Sequence, residues 1–337
     1  MDKRRSYIYE RTYMEYQNRK REDEVESYWK DILGEDIIQH LKEKTYYQIY
    51  DNLSTDKYYC NITEDIKLSE IEELYLNILK YTENNNYKQF GDMLFYPFYD
   101  RLLECSLKFL ELKCDNINIY LLNKQVIQKS YLEQIIGRMT QVSTRTLIQE
   151  LNICKRFGEL EGRNPEEEYQ FYLENQLVRV DYYYELMDAY PVLFRILFEC
   201  IAMSVDNYLF MLKSLENDKT DIELRLCKKM SFNKILKIKC GISDFHRKGK
   251  SVFILEFDNM QKVLFKPRSL KCDEEYQKFI TWLGYNCDLK MKIYKTIDRE
   301  EYGWCEYVYY EPCDSESGII NYYKRLGVLI FSNYLRS

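Results

Sequence analysis

The residues best suited to chemistry lie close together, between Gly241 and Leu270, in GISDFHRKGKSVFILEFDNMQKVLFKPRSL. Val252 to Phe257 (VFILEF) and Lys262 to Phe265 (KVLF) are short runs rich in β-branched and aromatic residues, and read as strands. Asp258-Asn259 between them is a turn signal, which makes the pair an antiparallel hairpin. Ahead of it lies a polar loop with Gly241 and Gly249 that contains Asp244 and His246. Behind it stands Lys266, then Pro267, which has no N–H and ends the ladder. On residue type alone, Lys266 is a compact charge able to hold phosphate or a solvated strand end. His246 is either a working imidazole or a loop histidine capping its own hairpin.

A glycine-containing loop, a strand, a second strand ending in lysine and then a helix is the order in which kinase-like lobes cover nucleotide phosphates. The loop is not GxGxxG, and GxxxxGK[ST] occurs nowhere in the chain.

The elements that must position these residues follow from the rest of the sequence. A chain of 337 residues holds one large or two modest domains, and 46% hydrophobic content is enough for a core. A net charge of −6 argues against general nucleic-acid binding. The 34 tyrosines are read as amphipathic faces and edges. Eleven scattered cysteines include no CxxC, so no zinc ribbon is expected. MDKRRSYIYE does not read as a signal peptide, and a reducing cytoplasm is the expected compartment. The longest apolar run, Pro191 to Leu212, is interrupted by Arg195, Glu199 and Asp206, so it reads as a buried helix, not a membrane span.

Helical spacing recurs up to about residue 226. His40 falls near a helix end and reads as a surface residue. In LSEIEELYLNILKY, Ser69 and Glu72 suggest a capping box. Pro97 is expected to start or kink a helix, and Asn164-Pro165-Glu166 is a helix start with its cap. Residues 130–185 read as a helical pair, and Pro191 to Asp218 as a long amphipathic helix. Five of eleven glycines precede residue 240 and six follow it, which fits helices first and a sheet-containing lobe second. In that lobe ILKIK (235–239) reads as a strand, and Ser269 to Leu283 as a helix capped by Gly284. Leu289 to Ile297 and Tyr302 to Tyr309 read as strands, and Ile319 to Leu335 as a helix. The expected class is α+β, mainly α: a helical region over 1–226 and a kinase-like small lobe of antiparallel sheet plus helix over 227–337.

Several patches together resemble the dehydratase domain of class II lanthipeptide synthetases, the LanM type. They are Asp244-Phe245-His246, Gly249-Lys250-Ser251-Val252, Phe265-Lys266-Pro267-Arg268-Ser269-Leu270 with Asp273, and Asp298-Arg299 followed by Tyr302-Gly303-Trp304. Earlier, Thr146 to Asn152 and Gly158 to Gly162 with Pro165-Glu166-Glu167 match the family, and later so do Tyr322-Tyr323 and Arg325-Leu326-Gly327. The resemblance runs through most of residues 130–337. It implies an enzyme that uses ATP and Mg²⁺ to phosphorylate Ser and Thr of a precursor peptide, then eliminates phosphate to leave dehydroamino acids. It places Lys266 on the ATP phosphates and Asp244 and His246 in the elimination, as base and as acid in an order left open. Arg268 is either a phosphate contact or a structural fork to a carboxylate. Asp273 or Glu275 either pairs Lys266, as the helix acid does in kinases, or stays on the surface. Arg145 and Glu150 are read as structural.

In the family, the helix matching Tyr322 to Tyr334 leads into the catalytic loop, the metal ligands and then the cyclase. Here the last aspartate is Asp314. The expectation is therefore a truncated dehydratase, inactive alone, completed by a companion chain. The alternatives are a non-catalytic module that binds the precursor peptide and a degenerate remnant of a disrupted gene.

Overall fold

A computed structural model of the chain describes residues 62–81, 93–240, 249–286, 291–310 and 312–334. His40, Asp244 and His246 lie outside the described residues. In chain order the helices are α1 (Ile62–Tyr81), α2 (Tyr96–Cys114), α3 (Asn118–Leu122), α4 (Lys124–Arg156), α5 (Pro165–Phe171, running on as a π turn Tyr172–Gln176), α6 (Val180–Ala189) and α7 (Pro191–Arg225). Then come β1 (Ile235–Lys239), β2 (Phe253–Phe257), β3 (Lys262–Lys266), α8 (Lys271–Asn286), β4 (Thr296–Asp298), β5 (Gly303–Glu306) and α9 (Glu316–Tyr334). The class is the expected one, α+β and mainly α. No described helix is long and apolar enough to cross a membrane.

The chain forms two compact units, one of residues 1–113 and 135–205, the other of 114–134 and 206–337. The helical unit is built on aromatic packing. Tyr75 packs edge-on to Phe198 at 5.6 Å between ring centroids, and Phe98 to Phe194 at 6.0 Å. Its tyrosines fill the core as well as the amphipathic faces and edges expected of them. Tyr99, Tyr172 and Tyr183 are fully buried, and each hydroxyl finds a partner. Tyr99 meets Ser143 at 2.6 Å, and Tyr183 donates to the carbonyls of Pro97 and Leu177, each at 2.8 Å. A phenol fills core volume at no polar cost only when its hydroxyl is met in this way. Glu150 is structural here, accepting from Tyr182 at 3.2 Å and from Tyr190. Asn164 caps α5 as expected, its Oδ1 accepting from Glu167 N at 2.9 Å.

The other unit carries an antiparallel sheet in the order β1-β2-β3-β5-β4. Period-two alternation sends Phe253, Leu255 and Phe257 of β2, with Val263 and Phe265 of β3, into the core. Phe265 is register partner to both Phe253 and Trp304. Against this face α7 lays Tyr208 and Phe210, edge-on to Phe253 and Phe265. The β2–β3 turn closes through Asn259, whose Oδ1 accepts from Gln261 N at 3.0 Å, and passes through Met260 at φ 61°.

Three local expectations are corrected. Ser69 lies within α1, so it caps nothing. Gly284 lies within α8, which runs on to Asn286, where the side chain back-bonds to the Trp282 carbonyl at 2.7 Å. A helical glycine costs only about 1 kcal/mol against alanine, which that extra bond and the flanking turn offset. Among the described residues of the strand expected over 289–297, the ladder is confined to Thr296–Asp298, because its partner there, β5, is four residues long. The last helix, α9, has no buried residue among those described, and Ile320, Tyr323, Ile330 and Phe331 are exposed.

Candidate functional site

Lys266 is the last residue of β3 and points to the sheet face opposite the aromatic core. Pro267 ends the strand, and four residues later α8 begins with Asp273 in its first turn. The turn brings Asp273 back over the lysine. Its Oδ1 accepts from Lys266 Nζ at 3.0 Å and from the Tyr294 hydroxyl at 3.3 Å, and its Oδ2 from Arg268 Nη1 at 2.6 Å. Burial works to raise the Asp273 carboxyl, but the hydrogen bonds and charges of Arg268 and Lys266 outweigh it and hold it below the usual carboxylate range. Burial likewise works against a charged Lys266, and Cys305 and Asp273 outweigh it, so the ammonium is held above its usual range. Cys305, buried behind the pair, is pushed up to about 11 by burial.

The helix acid that pairs Lys266 is therefore Asp273; Glu275 is exposed and pairs Lys278 at 2.7 Å. Arg268 is engaged as a fork on the same carboxylate, with its other contact to the Ser269 carbonyl at 2.9 Å. Two cations share one carboxylate, so the cluster carries one positive charge in excess. It is more open on the Arg268 side, where the side chain is 56% exposed against 21% for Lys266. Asp244 and His246 fall in the segment between β1 and β2 that lies outside the described residues. The described residues that flank it, Cys240 and Gly249, meet one turn of α7. Tyr208 hydroxyl meets Cys240 Sγ at 3.1 Å, and Asn207 donates to the Gly249 carbonyl at 2.8 Å.

Two of the sequence patches, KPRSL and DRxxYGW, prove to be one knot. Asp298 Oδ1 accepts from Leu270 N at 2.6 Å and Ser269 Oγ at 3.0 Å, fixing the entry to α8. Leu270, fully buried, lies over Gly303, the register partner of Lys266. A Cβ on Gly303 would sit 2.4 Å from Leu270 Cδ1 and 2.7 Å from the Ile297 carbonyl oxygen. Backbone cannot give way as a side-chain tip can. Gly303→Ala is expected to lower the urea midpoint by the equivalent of about 2–3 kcal/mol; a midpoint equal to wild type would show that the strands part there freely.

The same patch ties the sheet to α7. Arg299 Nε donates to Asp218 Oδ1 at 2.9 Å, its Nη2 donates to Asp221, and Trp304 Nε1 donates to Asp218 Oδ2 at 2.9 Å. Sequence reading missed these acids. The one available signal was their spacing, three apart on one helix face, which suits a shared cation.

Among the described residues no group of three His, Cys, Asp or Glu side chains could hold a metal ion. What the described residues offer at this site is the two cations Lys266 and Arg268 on one carboxylate.

Residues 190–336 match the family described as a domain of unknown function, DUF4135. The lacticin 481/lactococcin biosynthesis protein LcnDR2 of Lactococcus lactis subsp. lactis is 28% identical over 241 residues, covering 67% of this chain and 25% of its own length. The chain thus spans about a quarter of that relative. The β3–α8 junction and the DRxxYGW knot lie inside the matched region, and both matches support a likeness to the LanM-type lanthipeptide synthetases.

Proposed function

We propose that this chain supplies the phosphate-facing small lobe of a lanthipeptide dehydratase that acts on a precursor peptide. The observation that carries the reading is the Lys266–Asp273 pair at 3.0 Å, joining the end of β3 to the first turn of α8. Phosphoryl transfer relies on positioning and charge, and a lysine held by a helix acid is the part of that apparatus a small lobe contributes. ATP supplies the phosphoryl group that makes the Ser or Thr oxygen a leaving group. Lys266 holds its phosphates, with Asp273 fixing the ammonium and Arg268 locking Asp273. Asp244 and His246 serve the elimination, one removing the α-proton and the other assisting the departing phosphate. The Mg²⁺ ligands come from residues beyond the described ones, in this chain or in a companion.

The test is mass spectrometry of a lacticin-type precursor incubated with ATP, Mg²⁺ and this chain, with and without a polypeptide covering the rest of an LcnDR2-like synthetase. Successive losses of water that require this chain are expected, and they appear only when the companion is present. Losses with the chain alone would overturn the need for a companion. Losses with the companion alone would remove this chain from the reaction. Saturable precursor binding with no water loss in any combination would leave the second reading, a non-catalytic binding module.

A further inference from the structure

Strand β1 is terminal in the sheet: β2 pairs with one edge, and no described strand pairs with the other. The first turns of α4 lie beside that free edge. Asn123, just ahead of α4, clasps one end, its Oδ1 accepting from Ile235 N at 2.8 Å. Ser130 closes the other, within 2.9 Å of the Tyr208 hydroxyl and 3.8 Å of Cys240 Sγ. Between the clasps is a cavity of about 360 Å³, walled by Ser130, Glu133 and Gln134 on one side and the Lys237–Cys240 stretch on the other.

Gln134 is the informative residue. It is 8% exposed, and neither Oε1 nor Nε2 has a hydrogen-bond partner among the described residues. A buried carboxamide with both ends unmet is costly, and native proteins rarely keep one without a use. A carboxamide offers one acceptor and two donors, the complement of an extended backbone's N–H and C=O. Past Ile235, whose N–H Asn123 takes, the outer edge of β1 offers the same complement. Lys237 and Lys239 are both exposed on β1, against the single acid Glu133 in the cavity wall.

We infer that this groove docks an extended peptide bearing acidic side chains, added as a strand along β1, with Gln134 pairing to its main chain and Lys237 and Lys239 to its carboxylates. This is strand addition, in which backbone bonds give affinity and side chains give selectivity. The five residues of β1 suit a docking segment of similar length. Only the identity of the natural occupant, an acidic segment of the precursor, rests on the function proposed above.

The test uses the full chain and two fluorescein-labelled synthetic peptides, one alternating Glu and Val, the other Lys and Val. Anisotropy is expected to show saturable binding of the acidic peptide and at least about tenfold weaker binding of the basic one. Gln134→Leu, which removes an unmet amide from a buried site, should hold or raise Tm and weaken the acidic peptide by about tenfold. Lys237→Glu with Lys239→Glu, both at exposed positions, should weaken it similarly. Hydrogen exchange at residues 237–239 should slow on binding. Equal affinity for both peptides, no binding, or binding untouched by either variant would overturn the groove. The dehydration assay is separate: probe binding without water loss keeps the groove and sinks the proposed activity, and the reverse keeps the activity and sinks the groove.

Discussion

In the completed dehydration reaction, Lys266→Met is expected to lower the rate of water loss by about 10²- to 10³-fold, the usual effect of deleting one fixed donor from a site of developing charge. The fold should survive. Methionine follows the lysine stem, and Asp273 keeps Arg268 at 2.6 Å and Tyr294 at 3.3 Å, so no carboxylate is left unpaired. Arg268→Gln separates the two readings of the arginine. Asp273 would retain Lys266, so a structural fork predicts only a small loss of rate, whereas a phosphate contact predicts a loss near that of Lys266→Met. Rates are read by mass spectrometry under single-turnover conditions, with unchanged circular dichroism as the control. A Lys266→Met variant within about twofold of wild type would remove the lysine from the phosphates.

The largest loss of stability is expected from Asp218→Ala. The Asp218 side chain is 6% exposed and takes bonds from both Arg299 and Trp304. Truncating one member of a buried ion pair costs about 3–5 kcal/mol, because the other charge stays buried without its partner. Here the indole N–H is stranded as well. Arg299 keeps Asp221 and is 31% exposed, which places the expected loss near the lower end, about 3 kcal/mol. That remains a large share of the roughly 5–15 kcal/mol that holds a typical domain. Asp218→Asn preserves an acceptor for Trp304 and should cost about half as much. Urea titration followed by tryptophan fluorescence measures both. An alanine variant within about 0.5 kcal/mol of wild type would mean that this pair anchors nothing.

How far the sequence could be read depended on whether the deciding contact was local. ILKIK, VFILEF and KVLF became β1, β2 and β3 because alternation, a turn signal and Pro267 all sit within a few residues of each other. Asn164 caps α5 for the same reason. The Lys266–Asp273 pair is seven residues apart and was among the options read from the sequence. Asp218 was not, since its partners Arg299 and Trp304 lie 81 and 86 residues away and no spacing rule reaches that far. The free edge beside Gln134 was equally hidden, because strand order is a property of the assembled sheet. Gly284 and the stretch over 289–297 misled for the opposite reason: local pattern was present, and a side-chain back-bond or a short partner strand overruled it.

The exposed apolar residues of α9 carry a consequence for its order. A helix of 19 residues with no buried residue among those described draws little on packing, and at that length such segments are marginal in water. Contact with a covering surface would supply the missing stabilisation. The helicity of this segment therefore acts as a gauge of occupancy, fraying while Ile320, Ile330 and Phe331 face solvent and firming once something apolar lies across them.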